Sequence, residues 1–156
     1  MSIDLPTRPD AETGERQFVT LTLAGQMCGV PVLAVRDVLG EQTIARIPLA
    51  PPEVAGSLNL RGRIVTAIDL RRRLRLPPAP PGTRRMSVVT EQGGELYALL
   101  VDQVAEVISL PGTAFEPSPP TLPAAWADYS HGVYRLEKTL LVVLDVERLL
   151  AVAQAA

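Results

Sequence analysis

The residues best equipped for chemistry in this chain are few and far apart. There is one histidine, His131 in "YSHGV", and one cysteine, Cys28 in "MCGV". Two carboxylates, Asp69 and Asp145, each follow an apolar run and precede a helix-like segment. Nucleophilic or acid–base catalysis needs a nucleophile, a base in hydrogen-bond reach and a group that orients the base. His131 stands beside a glycine and reads as a turn residue. Cys28 has no charged neighbour to lower its pKa and reads as a buried, inert thiol. One Cys and one His cannot close a zinc site. No GxxxxGK[ST] or GxGxxG run offers a phosphate loop. Asp69 and Asp145 both fit helix N-caps, which accept backbone N–H bonds. The expectation is a protein that is not an enzyme and carries no cofactor or metal.

What remains is charge. The stretch "GSLNLRGRIVTAIDLRRRL", residues 56–74, holds five arginines around one apolar strand. Residues 61–85 carry eight Arg and one Asp, whereas 86–156 carry three basic and nine acidic residues. The whole chain is at −2, which argues against a general polyanion binder. Single-strand nucleic-acid binders interleave basic residues with aromatics that stack on bases. No aromatic lies between 58 and 85, and no helix-turn-helix or zinc spacing is present, so nucleic acid is not expected. Arg71, Arg72 and Arg73 fall about 100° apart on a helix. Leu70 and Leu74 form its buried stripe, and the arginines read as charges that solvate the exposed side and offset the helix dipole.

These residues sit on short, β-rich elements. In "FVTLTLAG", Val19, Leu21 and Leu23 alternate with Thr20 and Thr22, the period of a half-buried strand. "PVLAVRDVLG" suits one or two helical turns running into a strand. "SLNL" and "RIVTAI" flank Arg61-Gly62 as a hairpin, with Asp69 capping a short helix behind it. "PPAPPG" at 77–82 stops both helix and strand. A second proline-rich stretch, 111–123, reads as a long surface loop, and Trp126 after it reads as a core residue or as a plug in a groove between two units, with core preferred. Residues 1–15 are acidic, with no signal peptide, and read as a disordered leader. No run is long enough to span a membrane. The lone cysteine permits no intramolecular disulfide and fits a reducing, cytoplasmic setting.

The second half repeats the first. Val32, Val35, Asp37, Val38 and Leu39 match Val101, Val104, Glu106, Val107 and Ile108 at an offset of 69. "IVTAIDLRRRL" from Ile64 matches "LLVVLDVERLL" from Leu140 at an offset of 76, and Gly56 matches Gly132 at that same offset. Two ordered matches favour two copies of one small β unit, and several short strands with turn signals between them favour small barrels or a sandwich. The repeat also sets Asn59-Leu60-Arg61-Gly62 against Arg135-Leu136-Glu137-Lys138. The shared leucine reads as structural, and Asn59 and Arg61 either as specific to the first copy or as drift on a solvated turn.

"GSLNLRGRIVTAIDLRRRL" resembles the Gly-x-x-Asn-Leu-Arg-Gly-x-Ile-x-x-x-x-Asp-Leu signature of the CheW family of chemotaxis coupling proteins. "QFVTLTLAGQMCGVPVLAVRDVL", "ARIPLAPPEVAG" and "HGVYRLEKTLLVVLDVERLL" extend the resemblance over residues 16–150. It implies a mainly β fold of two SH3-like five-stranded β-barrels packed together. Barrel 1 would span about 16–76, a linker 77–84, barrel 2 about 85–150, and a C-terminal helix about 145–156. It implies a non-catalytic adaptor that links the cytoplasmic hairpin tip of a chemoreceptor to the regulatory domain of a CheA-type histidine kinase, without entering the membrane itself. Such adaptors also serve surface motility and biofilm signalling. A basic-patch SH3-like module for RNA or another polyanion is the lesser alternative. By the same resemblance, Val35, Asp37, Asn59 and Arg61 belong to the receptor side. Ala98, which stands where the family commonly has glycine, joins them. Gly56, Ser57 and Leu58 fall at the kinase-facing end.

Overall fold

The computed structural model describes residues 14–155. The expected leader over 1–15 therefore falls almost wholly outside the described residues; from Glu15 the chain is already strand. The Ala24–Gly25 turn closes a hairpin of β1 (Glu15–Leu23) and β2 (Gln26–Pro31). A 3₁₀ turn at Val32–Ala34 leads into β3 (Asp37–Leu39), as the valine spacing implies. A second hairpin, β4 (Val54–Leu60) and β5 (Arg63–Asp69), runs into α1 (Leu70–Arg73). Beyond the proline-rich segment follow β6 (Met86–Gln92), β7 (Glu95–Val101), β8 (Gln103–Pro111), β9 (Phe115–Glu116), α2 (Ala124–Asp128), β10 (Ser130–Arg135), β11 (Leu140–Leu144) and α3 (Val146–Ala155). The stretch 111–123 is less irregular than a surface loop. It holds a 3₁₀ turn at Gly112–Ala114 and the short β9, which pairs with β10 through Tyr134 and Phe115.

The strands form two mixed sheets, ordered β3-β6-β7-β5-β4 and β8-β1-β2-β11-β10-β9. The second has one strand more than expected, the two-residue β9. The two copies legible in the sequence are interlocked. Val38 of β3 lies opposite Val88 of β6, and Val107 of β8 lies opposite Val19 of β1. β5 runs parallel to β7 with Ala67 beside Ala98, and β11 runs parallel to β2 with Val143 beside Gly29. Both pairs of pairings keep the offsets of 69 and 76, but each crosses from one copy to the other. Each copy gives its leading hairpin to the sheet of its twin. The division at 16–76 and 85–150 consequently does not follow sheet membership. The copies share one apolar pattern, so a strand of either satisfies the same register, and pattern alone cannot separate the two arrangements.

Interlocking explains the long apolar runs. β7 turns Leu96, Ala98 and Leu100 into the interior of the five-stranded barrel, and Tyr97, Leu99 and Val101 into a core shared by both sheets. β11 turns Leu141 and Val143 toward Phe18 and Tyr134 inside the other barrel, and Val142 and Leu144 into the shared core. Strands buried on both faces read as continuous apolar segments, not as alternation. Burying each Leu or Val side chain contributes about 1.5–3 kcal/mol. Trp126 lies in the shared core, as expected of a core residue, and Cys28 is fully buried. β1 departs from the half-buried reading. Thr20 is buried too, and its hydroxyl donates to the Glu106 carbonyl at 2.7 Å and accepts from the Glu106 N–H at 3.1 Å. That exchange bridges the register shift between β1 and β8.

Two of the α1 arginines do more than solvate. Asp69 caps the helix as expected, accepting from the Arg71 and Arg72 N–H groups at 3.0 and 3.3 Å. The Arg71 guanidinium forms a two-pronged pair with Asp102, Nε to Oδ1 at 3.0 Å and Nη2 to Oδ2 at 2.7 Å. Asp102 also accepts from the Ala24 N–H at 2.8 Å, which ties the β7–β8 turn to the β1–β2 turn. Burial, the largest influence, pushes the Asp102 carboxyl up, but hydrogen bonds from Arg71 and Ala24 and the charges of Arg71 and Arg85 outweigh it and hold it below its ordinary value. Arg73 donates to the Leu149 and Arg148 carbonyls at 3.1 and 2.9 Å and stacks 4.7 Å from the Tyr129 ring, joining α1 to α3. The reading of these side chains as solvating charges fails because their partners are 31 to 76 residues away in sequence.

Candidate docking surface

The β4–β5 turn has two residues in left-handed conformation, Arg61 at φ 51° and Gly62 at φ 88°. This is the twist a two-residue hairpin prefers. The Asn59 side chain accepts from the Gly62 N–H at 2.9 Å, so Asn59 performs turn chemistry after all. The matching turn between β10 and β11 is built differently. Arg135 pairs with Leu140, leaving four residues between the strands, whereas Leu60 pairs with Arg63. The comparison of Arg61 with Glu137 therefore sets unlike turns side by side.

The turn projects Arg61 into solvent with its side chain 76 % exposed, and its Nη2 meets Asp37 Oδ2 at 3.2 Å. Asp37 is held in turn by accepting from the Val38 N–H at 2.8 Å. Beside them Arg36 pairs with Glu91 at 2.8 Å. Val35 is half-buried against the shared core. Its neighbour Ala34 lines a recess of about 240 Å³ at the seam of the two barrels. Glu91, His131, Asp145 and Glu147 line the same recess, which gives it acidic walls. Among the described residues, the buried Thr90 hydroxyl on its wall has no hydrogen-bond partner. Val35, Asp37 and Arg61 thus share one edge, with Asn59 supporting it from beneath. Ala98 is elsewhere: fully buried, between Ala67 and Val89, inside the five-stranded barrel. It is closed to any receptor while the barrel is folded.

Gly56, Ser57 and Leu58 lie on β4, where the edge segment at Ala45 bridges Ser57 through two 2.8 Å hydrogen bonds. Gly56 is buried at φ 150°, and a Cβ there would overlap the Ala45 carbonyl oxygen. Gly132 repeats this arrangement at φ 154° against the Glu116 carbonyl and the Phe115 ring. The close approach that Gly56 permits is thus to the protein's own backbone. Leu58 points inward and is buried. The exposed apolar side chains nearby are Ile47, Leu49 and Ile64. None of the three carries a sequence signal, because an exposed Ile or Leu looks like core until the fold turns it outward. His131, read as a turn residue, is the extra residue of a bulge in β10, and Ala55 is the extra residue of the equivalent bulge in β4 of the other sheet. Among the described residues, no helix is long and apolar enough to cross a membrane, and no group of three or more His, Cys, Asp or Glu could hold a metal ion.

Two interlocked small barrels joined by a shared core, with an exposed ion pair at one barrel mouth, define a double SH3-like barrel domain. The chain belongs to the family of the CheW-like domain, whose model matches residues 17–154. It is 29 % identical over 145 residues to the chemotaxis protein CheW of Klebsiella aerogenes, covering 93 % of this chain and 87 % of that one. It is 26 % identical over 136 residues to a probable chemotaxis protein CheW of Rhizobium etli, covering 87 % and 88 %. The protein PilI of Pseudomonas aeruginosa is 30 % identical over 120 residues, 77 % of this chain and 67 % of PilI. The crystal structure of the scaffolding protein TtCheW from Thermoanaerobacter tengcongensis superposes with a TM-score of 0.73 at 27 % identity, covering 83 % of this chain and 88 % of that one.

Proposed function

We propose that this chain is a non-catalytic adaptor that couples the cytoplasmic hairpin tip of a chemoreceptor to the regulatory domain of a CheA-type histidine kinase, working in the cytoplasm at receptor arrays. The observation that carries this reading is the exposed Arg61–Asp37 pair at the mouth of the five-stranded barrel, in a chain whose CheW-like match covers residues 17–154. Arg offers a fixed fork of donors for the carboxylates and carbonyls of a receptor hairpin. Val35, Asp37 and Arg61 form the receptor edge. The kinase contact falls at the β4 end around Ser57, where Ile47, Leu49 and Ile64 offer exposed apolar area. Gly56 and Leu58 shape that end from within.

A second reading keeps the adaptor and changes the pathway to surface motility or biofilm signalling; the 30 % identity to PilI, a relative whose name does not mention chemotaxis, is the observation that leaves the pathway open. In either pathway the partner types are the same.

The test is pull-down of the purified chain and its Arg61→Glu variant on a receptor cytoplasmic hairpin and on a CheA-type regulatory domain. The parent is expected to bind both, and the variant to lose the receptor while keeping the kinase. Binding to neither partner would overturn the adaptor reading.

A further inference from the structure

The arginines on and just after α1 line a recess that includes neither Arg61 nor Asp37. Two residues past the end of α1, Arg75 stands at φ 58°; its N–H donates to the Arg72 carbonyl at 3.1 Å, and the Leu76 N–H donates to the Arg71 carbonyl at 2.7 Å. This helix ending ordinarily uses glycine at the left-handed position. The chain then turns back as the proline-rich segment 77–83. Between the two lies a recess of about 580 Å³, lined by Arg71, Arg72, Arg75, Arg85 and Thr83, with Asp69 as its one carboxylate.

The four guanidinium groups differ in how they are held. Arg71 is fixed by Asp102 and by its 2.7 Å bond to the Pro77 carbonyl, and Arg85 by Asp69 at 3.1 Å. Arg72 and Arg75 are exposed, and among the described residues neither has an ion-pair partner. The recess thus combines two pinned cations in its wall with two uncompensated ones at its rim. Its volume falls in the range of small-ligand pockets, about 300–1,000 Å³. Guanidinium forks match phosphate oxygens in pairs. No aromatic side chain lines the recess, so nothing there stacks a run of bases as single-strand binders do.

We infer that this recess is a binding site for a small phosphate-bearing anion with at least two negative charges. The inference does not rest on the adaptor reading, and its site is not the Arg61–Asp37 edge. The chemistry is shared by free polyphosphates and by nucleotides, whose phosphates Arg72 and Arg75 would grip from the rim.

The test is calorimetric titration of the full chain with sodium pyrophosphate and, separately, with ATP, at about 50 mM and about 300 mM salt. Saturable one-to-one binding that weakens with salt is expected. A double variant, Arg72→Gln with Arg75→Gly, should weaken it about tenfold or more, since two charge-assisted contacts are lost. Glycine suits the φ of 58° at position 75, so the variant should keep its Tm within about 3 °C of the parent. Arg46→Gln, an exposed arginine outside the recess, controls for net charge. Equal affinity for the two probes assigns the site to the phosphates alone. Tighter ATP binding adds a contact of the nucleoside to the proline wall; both results support the site. Absence of saturable binding at roughly millimolar probe, or equal weakening in Arg46→Gln, overturns it.

Discussion

Arg61 and Asp37 join the two edges of one sheet: the guanidinium on the β4–β5 turn lies 3.2 Å from the carboxylate on β3, although β3 and β4 stand at opposite ends of the strand order β3-β6-β7-β5-β4. The pair therefore marks where that sheet rolls up on itself. Both side chains remain accessible, and a docking partner can compete for either one.

Because Arg61 is largely in solvent, the pair should matter little for stability. A double-mutant cycle of Arg61→Ala and Asp37→Ala in urea denaturation should give a coupling of about 0.2–1 kcal/mol. A loss of receptor binding in Arg61→Glu then reflects the surface. A much larger coupling would make the pair a fold determinant.

Gly56 and Gly132 should be equally intolerant of a side chain. Gly56→Ala must strain a left-handed backbone and also push the Ala45 carbonyl away, a cost of about 3 kcal/mol or more. Gly132→Ala should behave alike against Glu116. Gly62→Ala, at φ 88° with open space around it, carries only the backbone strain, about 1–3 kcal/mol. Thermal or urea unfolding of the three variants checks the order.

Asp102 should make stability depend on acid. Its carboxyl is held below the ordinary value of 3.8, so its contribution is present above about pH 4 and is lost as pH falls through the native value. Asp102→Asn should cost about 1–3 kcal/mol at pH 7, because Arg71 and the Ala24 N–H lose a charged acceptor. In urea unfolding, the gap between parent and variant should narrow as the pH is taken below 3.8. A constant gap from pH 7 to pH 3 would rule out the carboxylate as its source.

The site was legible in the sequence where local chemistry makes it so. Arg61-Gly62 announces a tight turn, and the turn projects the arginine. Gly56 and Gly132 fall at one offset because each meets the same kind of close carbonyl. Arg71, by contrast, reads as one of three solvent charges until the fold sets Asp102 beside it. Leu58 and Ala98 carry nothing in their types to say that both face a barrel interior, closed to a partner.

The sequence by itself determined the elements and the repeat: strand period, proline stops, the cap at Asp69 and the two offsets are local properties of dihedrals and side-chain spacing. Only the tertiary structure decided which copy's hairpin joins which sheet, and with it the shared core, the Arg71–Asp102 pair and the closure at Arg61 and Asp37. The physical reason is that the two copies carry nearly the same apolar pattern, so strands from either fill the same register. The choice between them rests on contacts between residues far apart in the chain, where burial of both faces of β7 and β11 is won or lost.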